Sequence, residues 1–304
     1  MCADVCADRY ALITPARNEQ AYIANTLISV ITQTIKPFIW VIVSDGSTDD
    51  TDSIVGKYAA DHPFIHLLKR DGDPRRNFGS QVRAIQAGYG LLEGIDYGFF
   101  GNLDADISFG PDYYETILAK FRENPKLGLA GGFVHERAGD EPHGDFQSRK
   151  FNSVNSVPHA IQMFRRRCYE DVGGYIPLKY GGPDWHAEVM ARMKGWEVRS
   201  YPEIKVFHHR RTLGADGVLI GGYRQGLMDY SLGSSALFEI LKCMIRVGTR
   251  PYFFYAACRL AGYAAACLKR EQRLVSREFV NFLQSEQRER LVNIFKGKKA
   301  VRGF

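Results

Sequence analysis

Neither a CxxC pair nor zinc-ligand spacing occurs in this 304-residue chain: Cys2, Cys6, Cys168, Cys243, Cys258 and Cys267 are scattered. That excludes a disulfide framework and a structural zinc site, and it reads as reduced thiols in a cytoplasmic protein. GxGxxG and P-loop patterns are also missing, which removes the usual dinucleotide and phosphoryl-transfer readings. The first residues, Met1 to Tyr10, lack a basic start followed by an apolar core, so no signal peptide is expected. No internal repeat or low-complexity tract is visible. Forty Lys and Arg against thirty-four Asp and Glu leave only +6, too small an excess for a dedicated nucleic-acid binder. What is present, 45% hydrophobic and 24% charged residues, belongs to an ordinary globular protein able to bury a sizeable core. By length alone, one large domain with an appendage is as acceptable as two equal halves.

From Tyr10 to about residue 134, short β-rich apolar runs alternate with helical stretches, the rhythm of βαβ units and a mainly parallel sheet. The runs are Tyr10–Thr14, Phe38–Ser44, Phe64–Lys69 and Tyr97–Asn102, with a helix around Ala21–Gln33 and another beginning near Phe78. Ser47 or Thr48 is placed to cap the helix after the second run. Regularity breaks after Gly131-Gly132, and residues 135 to 149 read as a loop beside a functional face. Helices near Arg166–Val172 and His186–Lys194 and a strand ending at His208 follow. These divide the chain into a main domain, residues 1–215, and a helical region, residues 216–304. Within the tail, residues 251–268 are the most apolar stretch, barely long enough to span a bilayer and interrupted by Arg259. Packing on the domain, lying in a membrane interface and spanning it all stay open. Lys296, Lys298, Lys299 and Arg302 make a basic end suited to an anionic membrane surface or merely to water.

The strongest chemical signal is Asn102-Leu-Asp104-Ala-Asp106, directly after an apolar run. Alternate residues of a strand share a face, so Asp104 and Asp106 are expected to direct two carboxylates to one point at the carboxyl end of the sheet, where open α/β sheets bind ligands. Such hard oxygen ligands suit Mg²⁺ or Mn²⁺ bridging to phosphate oxygens. Two acidic residues one apart also occur on any turn, so context decides. Thr14-Pro-Ala-Arg-Asn-Glu19 follows the first run and Ser44-Asp-Gly-Ser-Thr-Asp49 the second. Together, in this order, the three segments resemble those of family 2 glycosyltransferases of the GT-A fold, an α/β architecture of Rossmann-like type, over residues 8 to 215.

The resemblance implies that Pro15, Asn18 and Glu19 line a uridine pocket and that Asp45 accepts a hydrogen bond from the base. A helix cap at Asn18–Glu19 and an Asp-Gly turn at Asp45 are the plainer alternatives. Asp73-Pro-Arg-Arg-Asn-Phe-Gly79 resembles the family's basic segment, with Arg76 directed to the diphosphate. Gly181-Gly-Pro-Asp-Trp-His186 resembles its acidic pair, with Pro183 in place of the first acid and Asp184 retained. Asp184 is then the base that takes the proton of the acceptor hydroxyl in an inverting displacement, Glu188 being the second candidate and a helix N-cap the structural alternative for Asp184. Val206-Phe-His-His-Arg-Arg211 implies His208 as a metal or diphosphate ligand beside Asp106, a structural histidine being the plainer alternative; only one of the two adjacent histidines can face the site on a strand, and Arg210 and Arg211 offer cations to the leaving diphosphate. The segment Phe164–Tyr175 resembles the acceptor side. Gly262–Ala266 and Glu278–Leu291 resemble the ending of bacterial exopolysaccharide and cell-surface glycan transferases, implying a lipid-linked glycan acceptor and a peripheral position at the inner face of the plasma membrane. A polyprenyl-phosphate sugar synthase and a non-catalytic sugar-nucleotide-binding protein of the same fold are the alternatives.

Overall fold

The computed structural model describes residues 8–72, 78–137, 145–149, 152–210, 217–247 and 253–296. Two compact units form: Met1–Pro177 with Pro183–Arg210, and Leu178–Gly182 with Arg211–Phe304. In the first, β1 (Tyr10–Ala16), α1 (Ile23–Ile31), β2 (Ile39–Asp45), α2 (Thr51–Asp61), β3 (Ile65–Arg70), α3 (Phe78–Gly90) and β4 (Phe99–Asn102) give the expected alternation. They continue into β5 (Ile107–Phe109), α4 (Tyr113–Glu123), β6 (Leu127–Arg137), β7 (Phe146–Ser148), a 3₁₀ turn at His159–Ile161, β8 (Met163–Arg165), α5 (Arg166–Asp171), α6 (Pro183–Met193) and β9 (Glu197–His208).

One sheet runs in the order β3-β2-β1-β4-β8-β6-β9-β5, with β7 beside β6. Its strands read as continuous apolar runs because both faces are covered. Tyr10 and Leu12 of β1 pack with Leu27 and Val30 of α1 on one side, and Ala11 and Ile13 pack with Val82 and Ile85 of α3 on the other. Strands β3, β2, β1 and β4 are all parallel. Beyond them the sheet is mixed: β8 lies antiparallel to both β4 and β6, β5 and β7 are also antiparallel to their partners, and β6 pairs parallel with β9. β8 is three residues long and is entered from a loop, so it needs no crossover helix to take its place.

Two local expectations change. Strand β6 runs straight through Gly131-Gly132 to Arg137, and β7 pairs with its end, so the 135–149 segment is only partly loop. The glycines there allow close approach: a Cβ on Gly132 would meet the carbonyl oxygen of Ile204 at 2.5 Å, beside a register shift against β9. At α2 the first turn is held by Asp49, whose carboxylate accepts from the Thr51 amide at 3.0 Å, rather than by Ser47 or Thr48. Desolvation raises the Asp49 pKa, but hydrogen bonds from Thr51 and the Gln20 amide together outweigh it and leave the pKa lowered.

The second unit is helical: α7 (Val218–Ser231), α8 (Ala236–Arg246), α9 (Phe253–Leu268) and α10 (Arg277–Phe295). Among the described residues no helix is long and apolar enough to cross a membrane. Arg259, midway along α9, is buried; it donates to Asp229 of α7 and, at 2.6 Å, to Glu239 of α8. Lys242 closes the group at 3.1 Å from each carboxylate.

Candidate active site

Loops after β1 and β2 leave the sheet side by side and are stitched together. Asn18, in left-handed backbone at φ 56°, accepts from the Thr48 amide at 2.8 Å. The amides of Asn18, Glu19 and Gln20 donate to Ser47, Thr51 and Asp49. Pro15 lies on β1 opposite Val43. Asp45 ends β2, buried, with Arg70 of β3 at 3.3 Å. The first two sequence segments are thereby brought to the same carboxyl edge of parallel strands, where an open sheet holds ligands.

The acidic pair joins them by a different local geometry from the one expected. Strand β4 ends at Asn102, so Asp104 and Asp106 sit on the connection to β5, with a turn at Ala105–Asp106, and not on alternate positions of a strand. The turn nevertheless converges their carboxylates, and β9 delivers His208 to them because β9 pairs with β5 at Ile107. Ligand atoms of Asp104, Asp106 and His208 lie within 4.8 Å of one another. His208 Nε2 is 3.2 Å from Asp106 Oδ1, and its Nδ1 is 3.8 Å from Glu136 of β6. His209 turns the other way, to Ser108 Oγ at 2.9 Å, as strand alternation requires.

Charge around this cluster is nearly balanced by neighbours. Arg210 donates to Glu19 and lies 3.5 Å from Asp106. Burial pushes the Glu19 carboxyl up to about 7, a rise that Arg210 opposes and Asp106 and Asp104 reinforce. Burial works against the charged form of His208, but Asp106, Glu136 and Asp104 outweigh it and raise the imidazole to about 9. Two carboxylates and an imidazole in such contact fit a divalent cation, which would replace the proton on His208.

His159, on the 3₁₀ turn, carries no sequence signal beyond being a lone histidine. Its Nδ1 is 3.5 Å from Asp104 Oδ1, and Asn102 donates to its carbonyl oxygen at 2.6 Å. Burial lowers its pKa, but Asp104 and Asp184 together leave it raised. Gln81 of α3 donates to the same Asp104 oxygen at 3.2 Å. Asp184 occupies the first turn of α6, half-buried. Glu188, one turn on, is turned inward: it accepts from the Val157 amide at 2.7 Å and Ser156 at 3.0 Å. Arg76 and Arg211 lie outside the described residues, as do Cys2, Cys6, residues 138–144 and Lys298, Lys299 and Arg302.

The family model "Glycosyl transferase family 2" matches residues 11–172, more than half of the 304 residues. The chain belongs to glycosyltransferase family 2. It is 28% identical over 174 residues to a chondroitin synthase of Escherichia coli, an alignment covering 54% of this chain and 24% of that protein. This family 2 member thus spans about a quarter of the length of that relative. Two solved structures share its GT-A fold. A mannosyltransferase from Pyrobaculum calidifontis, in complex with GDP-Man and Mn²⁺, has a TM-score of 0.52 at 18% identity and covers 97% of this chain and 84% of its own. Residues 1–349 of TarS from S. aureus, in complex with UDP-GlcNAc, give 0.55 at 15% identity over 90% and 79%. The matched segment contains Asn18, Glu19, Asp45, Asp104, Asp106 and His159; Asp184, His208 and Arg210 lie beyond it and join the site through α6 and β9.

Proposed function

We propose that the chain moves a sugar from a nucleotide sugar, a UDP-sugar first among them, to an acceptor hydroxyl on a lipid-linked or polymeric glycan, with inversion at the anomeric carbon. The setting is exopolysaccharide or cell-envelope synthesis, at the inner face of the plasma membrane. In this reading residues 1–215 are the catalytic domain and 216–304 the membrane-associating region. The observation that carries the chemistry is the convergence of Asp104, Asp106 and His208 within 4.8 Å in a family 2 chain.

Asp106 and His208 would hold Mn²⁺ or Mg²⁺, with Asp104 completing the cluster or turned to the nucleotide ribose; the cation, when bound, would offset charge developing on the departing nucleoside diphosphate. Pro15, Asn18, Glu19 and Asp45 line the nucleoside pocket, and Arg76 and Arg210 supply cations to the diphosphate. Asp184 takes the proton from the acceptor hydroxyl as its oxygen attacks the face opposite the leaving group, so a single displacement needs no second, nucleophilic carboxylate. Glu188 is ill-suited to that task, since both its burial and its hydrogen bonds point it into the protein. His159, 3.5 Å from Asp104, is a positioning residue for that carboxylate.

Replacing Asp184→Asn keeps shape and the helix start. Donor affinity by calorimetry is expected to stay within about twofold, while sugar transfer falls by roughly 10²–10⁴-fold, the usual worth of a general base. Unchanged turnover would assign the base elsewhere.

A further inference from the structure

Helix α8 is built inside out. Leu237, Ile240, Leu241, Met244 and Ile245 fall at i, i+3, i+4, i+7 and i+8, the stripe by which a helix ordinarily covers a core. Here that stripe faces outward: Leu237 is 61% exposed, Met244 64% and Ile245 58%. The charged residues are inside instead, Glu239 fully buried and Lys242 nearly so, both joined to Asp229 and Arg259 in the buried ion group.

Packing in the same unit has a second unusual feature. Gly222 and Gly226 of α7 and Gly262 of α9 let two backbones touch, since a Cβ on Gly226 would fall 1.9 Å from the Arg259 carbonyl oxygen and one on Gly262 2.0 Å from that of Tyr223. Close approach through Gly-xxx-Gly, with polar groups as the glue, is how helices associate where an apolar solvent removes the hydrophobic drive between them. Gly222 lies beside Tyr255 and Gly226 beside Arg259, so the two helices run parallel. Their first turns, carrying exposed Leu219, Ile220, Phe253 and Phe254, therefore share one end. Charge is lopsided as well: residues 211–304 hold sixteen Lys and Arg against seven Asp and Glu, a net +9 in a chain of +6.

We propose that the outward face of α8, with the first turns of α7 and α9, seats in the headgroup region of an anionic bilayer without crossing it. Polarity reversed relative to water, backbone contact of the membrane type and a basic excess all select that occupant over another protein surface. The inference deepens the membrane part of the proposed function and rests on none of its transfer chemistry, so its test uses neither donor nor acceptor.

The full chain is sedimented with vesicles of phosphatidylcholine containing roughly 30 mol% phosphatidylglycerol, and with phosphatidylcholine alone. The expected result is binding to the anionic vesicles, weakened by added salt and reduced about tenfold or more in Leu237→Glu/Met244→Glu. Met244→Trp, a substitution at an exposed site, reads the same surface without adding charge: its emission should shift to the blue with anionic vesicles and be quenched by brominated lipid. Equal binding by the double variant, or Trp emission unchanged by vesicles, overturns the proposal. So does a dimer in sedimentation equilibrium that the double variant dissociates while the wild type ignores both vesicle types, because the occupant would then be a second copy.

Discussion

Glu188 carries a pH term that follows from where its carboxyl lies. Burial raises its pKa from 4.5 to about 8, Asp184 adding to the rise and Arg192 opposing it. Between those two values the folded protein keeps a proton that the unfolded chain has released, so stability falls as pH rises from about 4.5 and the full cost is present above about 8. Gln in its place keeps an oxygen for the Val157 amide and cannot ionise. Urea unfolding at about pH 5, 7 and 9 should show Glu188→Gln gaining on the wild type with rising pH, by a few kcal/mol at most; parallel pH slopes in the two proteins would contradict this. His208 is shifted upward too, but from the opposite cause: burial works against its charged form, and its acidic partners outweigh that and favour the proton, which must leave before the nitrogen can bind a cation. Neither behaviour can be read from residue type. A glutamate on the second turn of a helix and a histidine at a strand end look alike in sequence whether they meet solvent or one another, and only the neighbours from β6, β9 and the 152–162 segment decide it.

At the scale of elements, helices were legible from their 3.6-residue apolar spacing and the central strands from short continuous apolar runs, since both faces of the sheet are covered. Several elements escaped that logic, two of them with consequences for the site. β5 is three residues long, too short for any period, yet its pairing with β9 brings His208 to Asp106. β6 hides a pair of glycines that look like a break and are instead demanded by close neighbours, Gly131 by the Val157 side chain and Gly132 by the carbonyl of Ile204. The α7–α9 contact supplies a sharper test of such close packing. Gly226→Ala places a methyl where Arg259 backbone stands, with no flexible side chain to yield, so the helices must separate. A loss of about 2–4 kcal/mol in denaturant unfolding is expected, against a gain of roughly 1 kcal/mol if Gly226 were an ordinary exposed helix position.

For the molecule as a whole, binding is a stability term. A ligand at a hundredfold its Kd adds about 2.7 kcal/mol to the folded state, so the donor should reveal itself in the melting temperature. Among UDP-, GDP- and dTDP-sugars tested with Mn²⁺, one nucleotide is expected to raise Tm by several degrees and to lose that effect on chelation with EDTA; no Mn²⁺-dependent rise with any of them would count against the cation cluster. The amino-acid sequence alone determined the α/β class, the helical tail, the family and the three residues that cluster, Asp104, Asp106 and His208, because these are written in local periodicity and in short segments at the ends of strands. Only the tertiary structure decided that Asp104 and Asp106 lie beyond their strand, that His159 comes to lie against Asp104, that Glu188 faces inward and that α8 turns its apolar stripe outward. Each of these depends on which distant segment comes to lie against the residue, and burial and electrostatics act through space without regard to separation along the chain.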